Sequence, residues 1–232
     1  MEVRFYRTDL LDKEKMREHA ERLLREEGWG DRVEKAARLR YPRDAKLCLC
    51  AGLALRDVLE ARGVPDRKLL ADPNGKLYLE GREDLFFNLS HSGLYAVCAA
   101  GDDPVGIDVQ KITRASEGFL DRWYTKREKG LVLSCGEPDR MFTRIWTIKE
   151  AYMKMTGLGL RIPPEKLEVT FPLTGREAGR EETREELCGW MDLSESAARI
   201  RTLGTEIPEV PCVILTGELG EHLVSVCAAD QG

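Results

Sequence analysis

The sequence predicts an α+β protein made of two similar halves. Each half contains one long apolar helical stretch followed by short alternating strands, the two helices falling at 45–62 and 142–155. The segments Tyr95–Ala100 and Val224–Ala229 both end in Val-Cys-Ala-Ala, one near the end of each half. Self-similarity of this kind indicates two copies of one supersecondary arrangement. We therefore expect halves at 1–102 and 103–232 that form one compact unit with a ligand cleft between them.

Composition restricts the class of protein. The 232 residues, 42% of them hydrophobic, are enough to bury a substantial core. A net charge of −5 argues against a nucleic-acid binder, which normally carries a basic face. There is no secretory leader pattern, and no apolar stretch approaches the ~18 residues that a membrane span needs. We expect a chain that is neither secreted nor membrane-spanning.

The seven cysteines include no C-x-x-C pair and mostly stand among Ala, Val and Leu. Cysteine in such surroundings behaves as a small core residue, so we expect reduced thiols in a cytoplasmic protein. Cys48 and Cys50 have the proximity that a metal site needs, but none of the three histidines lies near them, which argues against zinc.

Regular elements are predicted from periodicity and from turn residues. Short strands are expected at 2–6, 77–79, 105–110, 167–171, 187–202, 210–216 and 222–229, and helices at 13–27, 45–62, 114–123 and 125–133. Gly28 is expected to end the first helix, and residues 174–186 are expected to form an exposed charged loop. Asp72–Lys76 reads as a turn in which Gly75 supplies a positive φ.

The helix from Phe142 to Met155 is apolar around most of its circumference, which indicates burial. One stripe stays polar, because Thr143, Thr147, Glu150 and Lys154 recur three and four residues apart. A Glu and a Lys four residues apart most often form an exposed pair of small energetic value. On a buried helix, however, these charges must face a cleft, a metal or each other.

Two further stretches concentrate polar groups between apolar runs. In 85–100 we expect a strand, a polar turn carrying Asn88, Ser90, His91 and Ser92, and a second strand; the turn is either a site or a plain hairpin tip. In the strand at 105–110, Asp108 and Gln110 share one face. Aspartate is depleted in strands, and a half-buried carboxylate needs a cation, for which Mg²⁺ is the natural candidate.

Cationic side chains cluster in 32–46: Arg32, Lys35, Arg38, Arg40, Arg43 and Lys46. In an acidic chain this cluster stands out. The cluster is either a solvated face or a binding site for an anion such as a phosphate. From the sequence alone, the solvated face is the better interpretation.

Taken together, three motifs resemble the Sfp-type 4′-phosphopantetheinyl transferase family. They are Asn88-Leu89-Ser90-His91-Ser92, Gly106-Ile107-Asp108-Val109, and Trp146 to Lys154 followed by Gly157-Leu158-Gly159-Leu160. Each motif is weak alone, and the combination with its order and spacing is specific. With the Gly75-Lys76 turn, the resemblance covers roughly residues 40 to 230.

The resemblance implies a pseudo-twofold monomer in which each half packs a small antiparallel sheet on its long helix. It also implies the activity: transfer of the phosphopantetheine arm of coenzyme A to a serine of an acyl or peptidyl carrier protein, with Mg²⁺, releasing adenosine 3′,5′-bisphosphate. Asp108 and Glu150 would be metal ligands, and Lys154 would hold a phosphate oxygen. His91, with Ser90 beside it, would contact coenzyme A phosphates. Gly75 and Lys76, together with cations from the set Lys35, Arg38, Arg43 and Lys46, would bind the nucleotide phosphates.

One position departs from the family pattern, since many members carry an acidic residue where this chain has Gln110. A Gln carbonyl is a weaker, neutral ligand, so we expect two protein carboxylates on the metal with water or Gln110 beside them. Glu150, acting directly or through a water, is the candidate base for the serine proton. Two rival functions remain at this stage: a catalytically silent binding module with the same fold, and a metal-dependent pyrophosphate hydrolase.

Overall fold

The computed structural model describes residues 1–24, 29–64, 68–73, 75–171, 188–204 and 208–230. The helices of this part are α1 (Lys13–Leu24), α2 (Gly30–Arg38), α3 (Pro42–Ala61), α4 (Glu117–Trp123), α5 (Lys126–Ser134) and α6 (Pro138–Thr156). The strands are β1 (Glu2–Arg7), β2 (Leu69–Ala71), β3 (Leu77–Leu79), β4 (Phe86–Ser92), β5 (Tyr95–Gly101), β6 (Val105–Lys111), β7 (Leu167–Thr170), β8 (Cys188–Trp190), β9 (Ser194–Glu195), β10 (Arg199–Thr202), β11 (Cys212–Leu219) and β12 (His222–Ala229). The predicted α+β class is confirmed.

The first of two compact units contains Met1–Asp103 and Arg184–Asp192. Its antiparallel sheet has the strand order β4-β5-β1-β8, and α3 packs on β5, β1 and β4. Helix α3 begins at Pro42, three residues before the predicted start, because proline suits the first helical turn. Its buried residues, including Leu53, Leu55 and Leu59, form the core of this unit with the inner face of the sheet.

The second unit contains Pro104–Thr183 and Leu193–Gly232. Its antiparallel sheet has the order β6-β12-β11-β9, and α6 packs on β6 and β12. A separate two-stranded ladder joins β7 and β10. Helix α6 ends at Gly157, whose φ of 71° forms a left-handed C-cap that favours glycine.

The two units share one plan. In each, the first strand pairs with the last strand of a hairpin, giving the orders β4-β5-β1 and β11-β12-β6, and one long helix covers the sheet. The repeated Val-Cys-Ala-Ala stretches fall on equivalent strands, β5 and β12, which explains the repeat in the sequence. The pseudo-twofold relation between the halves stays a prediction.

The polar residues 88–92 were expected in a turn, and this expectation is wrong. They lie within β4, which pairs with β5 along its whole length from Phe86↔Gly101 to Ser92↔Tyr95. The turn follows at Gly93-Leu94, where Gly93 has a φ of 58°. In the described sheet β4 is an outer strand, where polar side chains are tolerated. His91 is exposed and Asn88 and Ser92 are half-buried, whereas Ser90 is buried.

Other boundaries differ more modestly. The residues 187–202, expected to form short strands, divide among β8, β9 and β10 in three different ladders. Helix α2 and strand β2 were not predicted. Gly28 and the loop expected at 174–186 lie outside the described residues. Among the described helices, none combines the length and the hydropathy that crossing a bilayer requires.

A close backbone contact joins α6 to β6. A Cβ built on Gly106 would lie 2.1 Å from the Ala151 carbonyl oxygen and 2.3 Å from the Met155 nitrogen, so only glycine fits there. Side chains alternate along a strand, and Asp108 therefore points to the same face of β6, toward the same helix.

Substituting Gly106 by alanine tests this contact. The added methyl group would overlap backbone atoms of α6, which would have to shift, so Gly106→Ala should lower the free energy of unfolding by about 3 kcal/mol. Gly130→Ala is the matched control, because Gly130 lies inside α5 with no atom within 4 Å of its built Cβ. This control should instead stabilise by about 0.5–1 kcal/mol. Urea unfolding measures both, and equal stability of the two variants would contradict the contact.

Candidate active site

The polar stripe of α6 faces the sheet of the second unit. Thr143 Oγ1 accepts a hydrogen bond from the Thr113 backbone N–H at 3.1 Å, and Thr147 Oγ1 shares a 2.8 Å hydrogen bond with Ser225 Oγ. Lys154 Nζ donates to Asp108 Oδ1 at 2.6 Å and to the Ile107 carbonyl oxygen at 3.2 Å. Thr143, Thr147 and Lys154 of the stripe therefore contact Thr113, β12 and β6 respectively.

Asp108 lies on the inner face of β6 and is only 6% exposed. Its cross-strand partner on β12 is Ser225, the residue that bonds to α6. Gln110 is two residues along the same strand, shares this face, and is half-buried. The alternation predicted for this strand thus places both side chains on the α6 side.

Glu150 is half-buried beside these groups. Burial raises the pKa of Glu150 above its usual value, the Lys154 ammonium opposes this, and the Asp108 carboxylate raises the pKa further. Lys154 connects the two carboxylates, since it bonds to Asp108 and lies one helical turn after Glu150 on α6. With both carboxylates ionised, this group would carry two negative charges against the one positive charge of Lys154, and a further cation would offset the excess.

The donor set fits Mg²⁺ rather than a cage for a transition metal. Among the described residues there is no cluster of three His, Cys, Asp or Glu side chains arranged to hold a metal. Asp108 and Glu150 supply two carboxylates, and Gln110 supplies an amide oxygen on the same face. Mg²⁺ is commonly bound by one or two carboxylates and completes its octahedron with waters and substrate phosphates. Asp108, Glu150 and Gln110 are thus the residues that would hold it.

A cavity of about 220 Å³ in the first unit gathers several of the predicted coenzyme A residues. His91, Lys76 and Gly75 line it together with Lys35 and Asn88, and Ala51, Leu77, Phe87 and Leu89 supply apolar walls. Burial lowers the pKa of Lys76, with Asp72 opposing the shift, and an anion placed here would further favour the charged form of the lysine.

The turn before this cavity is built as predicted. The Gly75 N–H donates to the Asp72 carbonyl at 2.9 Å, and the Lys76 N–H donates to Asp72 Oδ1 at 2.8 Å. Gly75 has a φ of 84°, which favours glycine. The turn thereby fixes the start of the Lys76 side chain at the cavity wall.

The other predicted phosphate-binding cations are engaged elsewhere. Arg38 pairs with Glu34 at 2.8 Å, Arg43 donates to the Gly93 carbonyl at 3.0 and 3.2 Å, and Lys46 bonds to the Leu11 carbonyl. None of these three lines the cavity, whereas Lys35 does. Ser90 is buried and alternates to the opposite face of β4 from His91.

Comparison with known proteins agrees with this geometry. A family model described as "4'-phosphopantetheinyl transferase superfamily" matches residues 104–202, which include Asp108, Glu150 and Lys154. The 4′-phosphopantetheinyl transferase HetI of Nostoc sp. is 32% identical over 165 residues, covering 66% of this chain and 68% of that protein. The chain belongs to the 4′-phosphopantetheinyl transferase superfamily.

Further relatives extend the match along the chain. The 4′-phosphopantetheinyl transferase ffp of Bacillus subtilis is 27% identical over 207 residues, which are 86% of this transferase and 81% of ffp. The 4′-phosphopantetheinyl transferase Sfp of Bacillus subtilis is 27% identical over 151 residues, covering 63% and 67% of the two chains. The resemblance seen in the three sequence motifs is thus confirmed at the level of the family.

The structure adds a residue that the motif did not single out. Lys149, next to Glu150, is completely buried and donates to Glu128 Oε2 at 2.7 Å, to the Trp123 carbonyl at 3.0 Å and to the Pro164 carbonyl at 2.9 Å. Glu128 also accepts the Val169 N–H at 2.8 Å. This single ion pair ties α5 and β7 to the helix that carries Glu150.

Only part of the Lys149–Glu128 ion pair could be predicted from the sequence. Glu128 closes a capping box with Thr125 at the start of α5, a pattern readable from the order Thr-Lys-Arg-Glu. A lysine on the apolar side of α6 required a buried acidic partner, but its identity depends on how α5 and α6 pack. Burial lowers the pKa of Lys149, and the neighbouring Glu128 opposes that shift.

Replacing Lys149 by methionine should strongly destabilise the transferase. The change leaves the Glu128 carboxylate buried without its cation, which costs about 3–5 kcal/mol. Lys129→Met is the control, because Lys129 pairs with Asp121 on the solvent side of α5 and its loss should leave the stability nearly unchanged. Thermal and urea unfolding would show the difference. A Lys149→Met variant as stable as Lys129→Met would contradict the structural role of the pair.

Proposed function

We propose that this transferase moves the 4′-phosphopantetheine arm of coenzyme A to a serine of an acyl or peptidyl carrier protein, with Mg²⁺, and releases adenosine 3′,5′-bisphosphate. The observation that carries the proposal is the convergence of Asp108, Glu150 and Lys154 between α6 and β6. The relatives are named as transferases of this group, which supports the same reaction.

The reaction needs three things from the protein. The serine oxygen attacks the phosphorus that bears the pantetheine arm, the bond from that phosphorus to the bridging oxygen breaks, and the serine proton goes to a base. Charge on the transferred phosphoryl group must be neutralised, the diphosphate must be held, and a base must be at hand. When bound, Mg²⁺ supplies Lewis-acid neutralisation of the diphosphate oxygens.

The residues of the second unit divide these tasks. Asp108 and Glu150 are the proposed metal ligands, with Gln110 or water beside them. Lys154 is the proposed partner of a diphosphate oxygen, because its side chain is 26% exposed and its ammonium lies beside Asp108. Glu150 is also the candidate base, and burial suits it for this role because a carboxylate with a raised pKa binds a proton more readily.

The cavity of the first unit is the proposed binding site for the nucleotide phosphates of coenzyme A. Lys76, His91 and Lys35 offer donors around its rim, and the Gly75 turn leaves backbone space for a close approach. Of the four predicted phosphate-binding cations, Lys35, Arg38, Arg43 and Lys46, we now assign this role to Lys35, because it lines the cavity.

Location and assembly are also proposals. All seven cysteines are free thiols, which suits a reducing compartment, and we place the transferase in the cytoplasm. We further propose that the transferase is a monomer.

Mass spectrometry of a panel of apo carriers incubated with coenzyme A and Mg²⁺ tests the function. The wild type should add phosphopantetheine to at least one carrier, and Glu150→Gln should slow transfer by about 10²-fold or more at saturating Mg²⁺. Asp108→Asn should slow transfer as well. Glu221→Gln, an exposed carboxylate on the turn before β12, is the matched control and should transfer at the wild-type rate.

Two outcomes would contradict this proposal. Near-normal turnover of Glu150→Gln would remove Glu150 from the chemistry. Release of adenosine 3′,5′-bisphosphate without any carrier present, and no carrier modified, would indicate a hydrolase instead.

A further inference from the structure

Two cysteines of the second unit lie close together on neighbouring strands. Cys212 is the first residue of β11 and pairs with Ala229 of β12. Cys227 of β12 pairs with Ile214 of β11. Because residues two apart on a strand share a face, the two cysteines are diagonal neighbours on one face of this ladder. The phosphopantetheine transfer proposed above uses neither thiol.

The two thiols differ in their access to solvent. Cys227 is completely buried in the core, and its sulfur lies 3.8 Å from the Ile148 carbonyl oxygen of α6. Cys212 is only half-buried and packs against the edge of the same core. A small solute can therefore reach Cys212 from the solvent, whereas Cys227 is shielded.

The contact between the thiols makes Cys212 the more acidic of the two. A hydrogen bond from the Cys227 thiol lowers the pKa of Cys212, although burial opposes this shift. The Arg199 guanidinium also favours the thiolate of Cys212. The same hydrogen bond, together with burial, raises the pKa of Cys227 well above its usual value. Since the thiolate is the nucleophilic form, Cys212 is the thiol that attacks first.

This arrangement is typical of a peroxide-sensitive cysteine pair. Such pairs combine an accessible thiol of low pKa with a second thiol that resolves the oxidised product. Neither cysteine alone would suffice, because an isolated Cys212 would be oxidised further and Cys227 is out of reach of a solute. The inference therefore depends on the placement of both residues on one face of the β11–β12 ladder.

We propose that Cys212 and Cys227 form a modification site at which a hydroperoxide converts the two thiols into one disulfide. Both are free thiols in the structure, which is the reduced form of the site. The proposal is independent of the transfer reaction and adds a second chemistry to the unit that carries Glu150.

The oxidation proceeds in two balanced steps. The Cys212 thiolate attacks one oxygen of the hydroperoxide, the O–O bond breaks, and an alcohol or water leaves, so that Cys212 becomes a sulfenic acid. The Cys227 sulfur then attacks the Cys212 sulfur, the S–O bond breaks, and the departing hydroxide takes the Cys227 proton and leaves as water. The two thiols together lose two electrons, which reduce one hydroperoxide.

Closing the disulfide requires a small movement at one strand end. Diagonal neighbours in an antiparallel ladder lie near the upper limit of the Cα separation that a disulfide spans. The hydrogen bond between the thiols already turns the two side chains toward each other. Cys212 is the first residue of β11, so the start of this strand can approach β12 while the rest of the ladder keeps its register.

Peptide mapping of the folded chain after treatment with hydrogen peroxide tests the proposal. Glu218 and Glu221 lie between the two cysteines, so cleavage after glutamate separates them unless a disulfide joins the fragments. The wild type should give joined fragments that carry two hydrogen atoms fewer than the separate ones, and dithiothreitol should release them. The fragment that contains Cys135, another half-buried thiol, should stay reduced under the same conditions.

Variants assign the two roles. In Cys227→Ala the sulfenic acid of Cys212 should persist and be captured by dimedone, whereas the wild type should give the disulfide and little adduct. In Cys212→Ser the Cys227 thiol should stay reduced, because it is shielded. Cys135→Ser is the matched control and should form the disulfide as the wild type does. Thermal unfolding checks that each variant folds, and Cys227→Ser repeats the test if Cys227→Ala does not.

Three results would overturn the proposal. The first is oxidation of Cys212 in the folded wild type to a dimedone-reactive or sulfinic form without any link to Cys227. The second is oxidation of Cys135 while Cys212 and Cys227 stay reduced. The third is a link between the two cysteines that forms only after unfolding in urea. The test needs no carrier protein, so its failure and the failure of the proposed function are distinguishable.

Discussion

The backbone contact between α6 and β6 at Gly106 is the constraint on which the candidate site depends. Any larger residue would separate the helix from the strand, because the built Cβ falls on two backbone atoms of α6. Asp108 follows on the same face of the strand, and Lys154 follows Ala151 by less than one helical turn. The site is thus a consequence of how closely two elements pack, because this packing places Asp108 of β6 against Lys154 of α6.

Burying the Glu150 carboxylate in this region has an electrostatic cost. Burial and the Asp108 carboxylate both raise the pKa of Glu150, so the ionised form of Glu150 opposes folding above its ordinary pKa, and Lys154 offsets only part of this. Elsewhere in α6 the buried charges are matched, as in the pairing of Lys149 with Glu128 and of Arg144 with Glu218. An incompletely neutralised group among well-matched ones is typical of a binding site. A divalent cation would offset this negative excess.

Much of this arrangement could be predicted from the sequence, since it is encoded locally. The polar stripe of α6, the alternation of β6 and the Gly75 turn follow from periodicity and from glycine chemistry. The strand character of 88–92 could not be read in this way, because pairing with β5 decides it and side-chain polarity does not. The role of Lys149 was hidden for a similar reason, since its partner lies on another helix. Likewise, Lys35 was separated from Arg38, Arg43 and Lys46 only by the cavity that it lines.

The central claim is that Asp108 and Glu150 together hold one divalent ion. Anomalous diffraction from crystals grown with Mn²⁺ and coenzyme A measures this most directly, since Mn²⁺ can replace Mg²⁺ at oxygen-rich sites. The account predicts one anomalous peak in contact with both carboxylates, near the ~2.1 Å distance typical of Mg²⁺–oxygen bonds. A peak bound by neither or only one of the two carboxylates, in crystals that contain ordered coenzyme A, would contradict it.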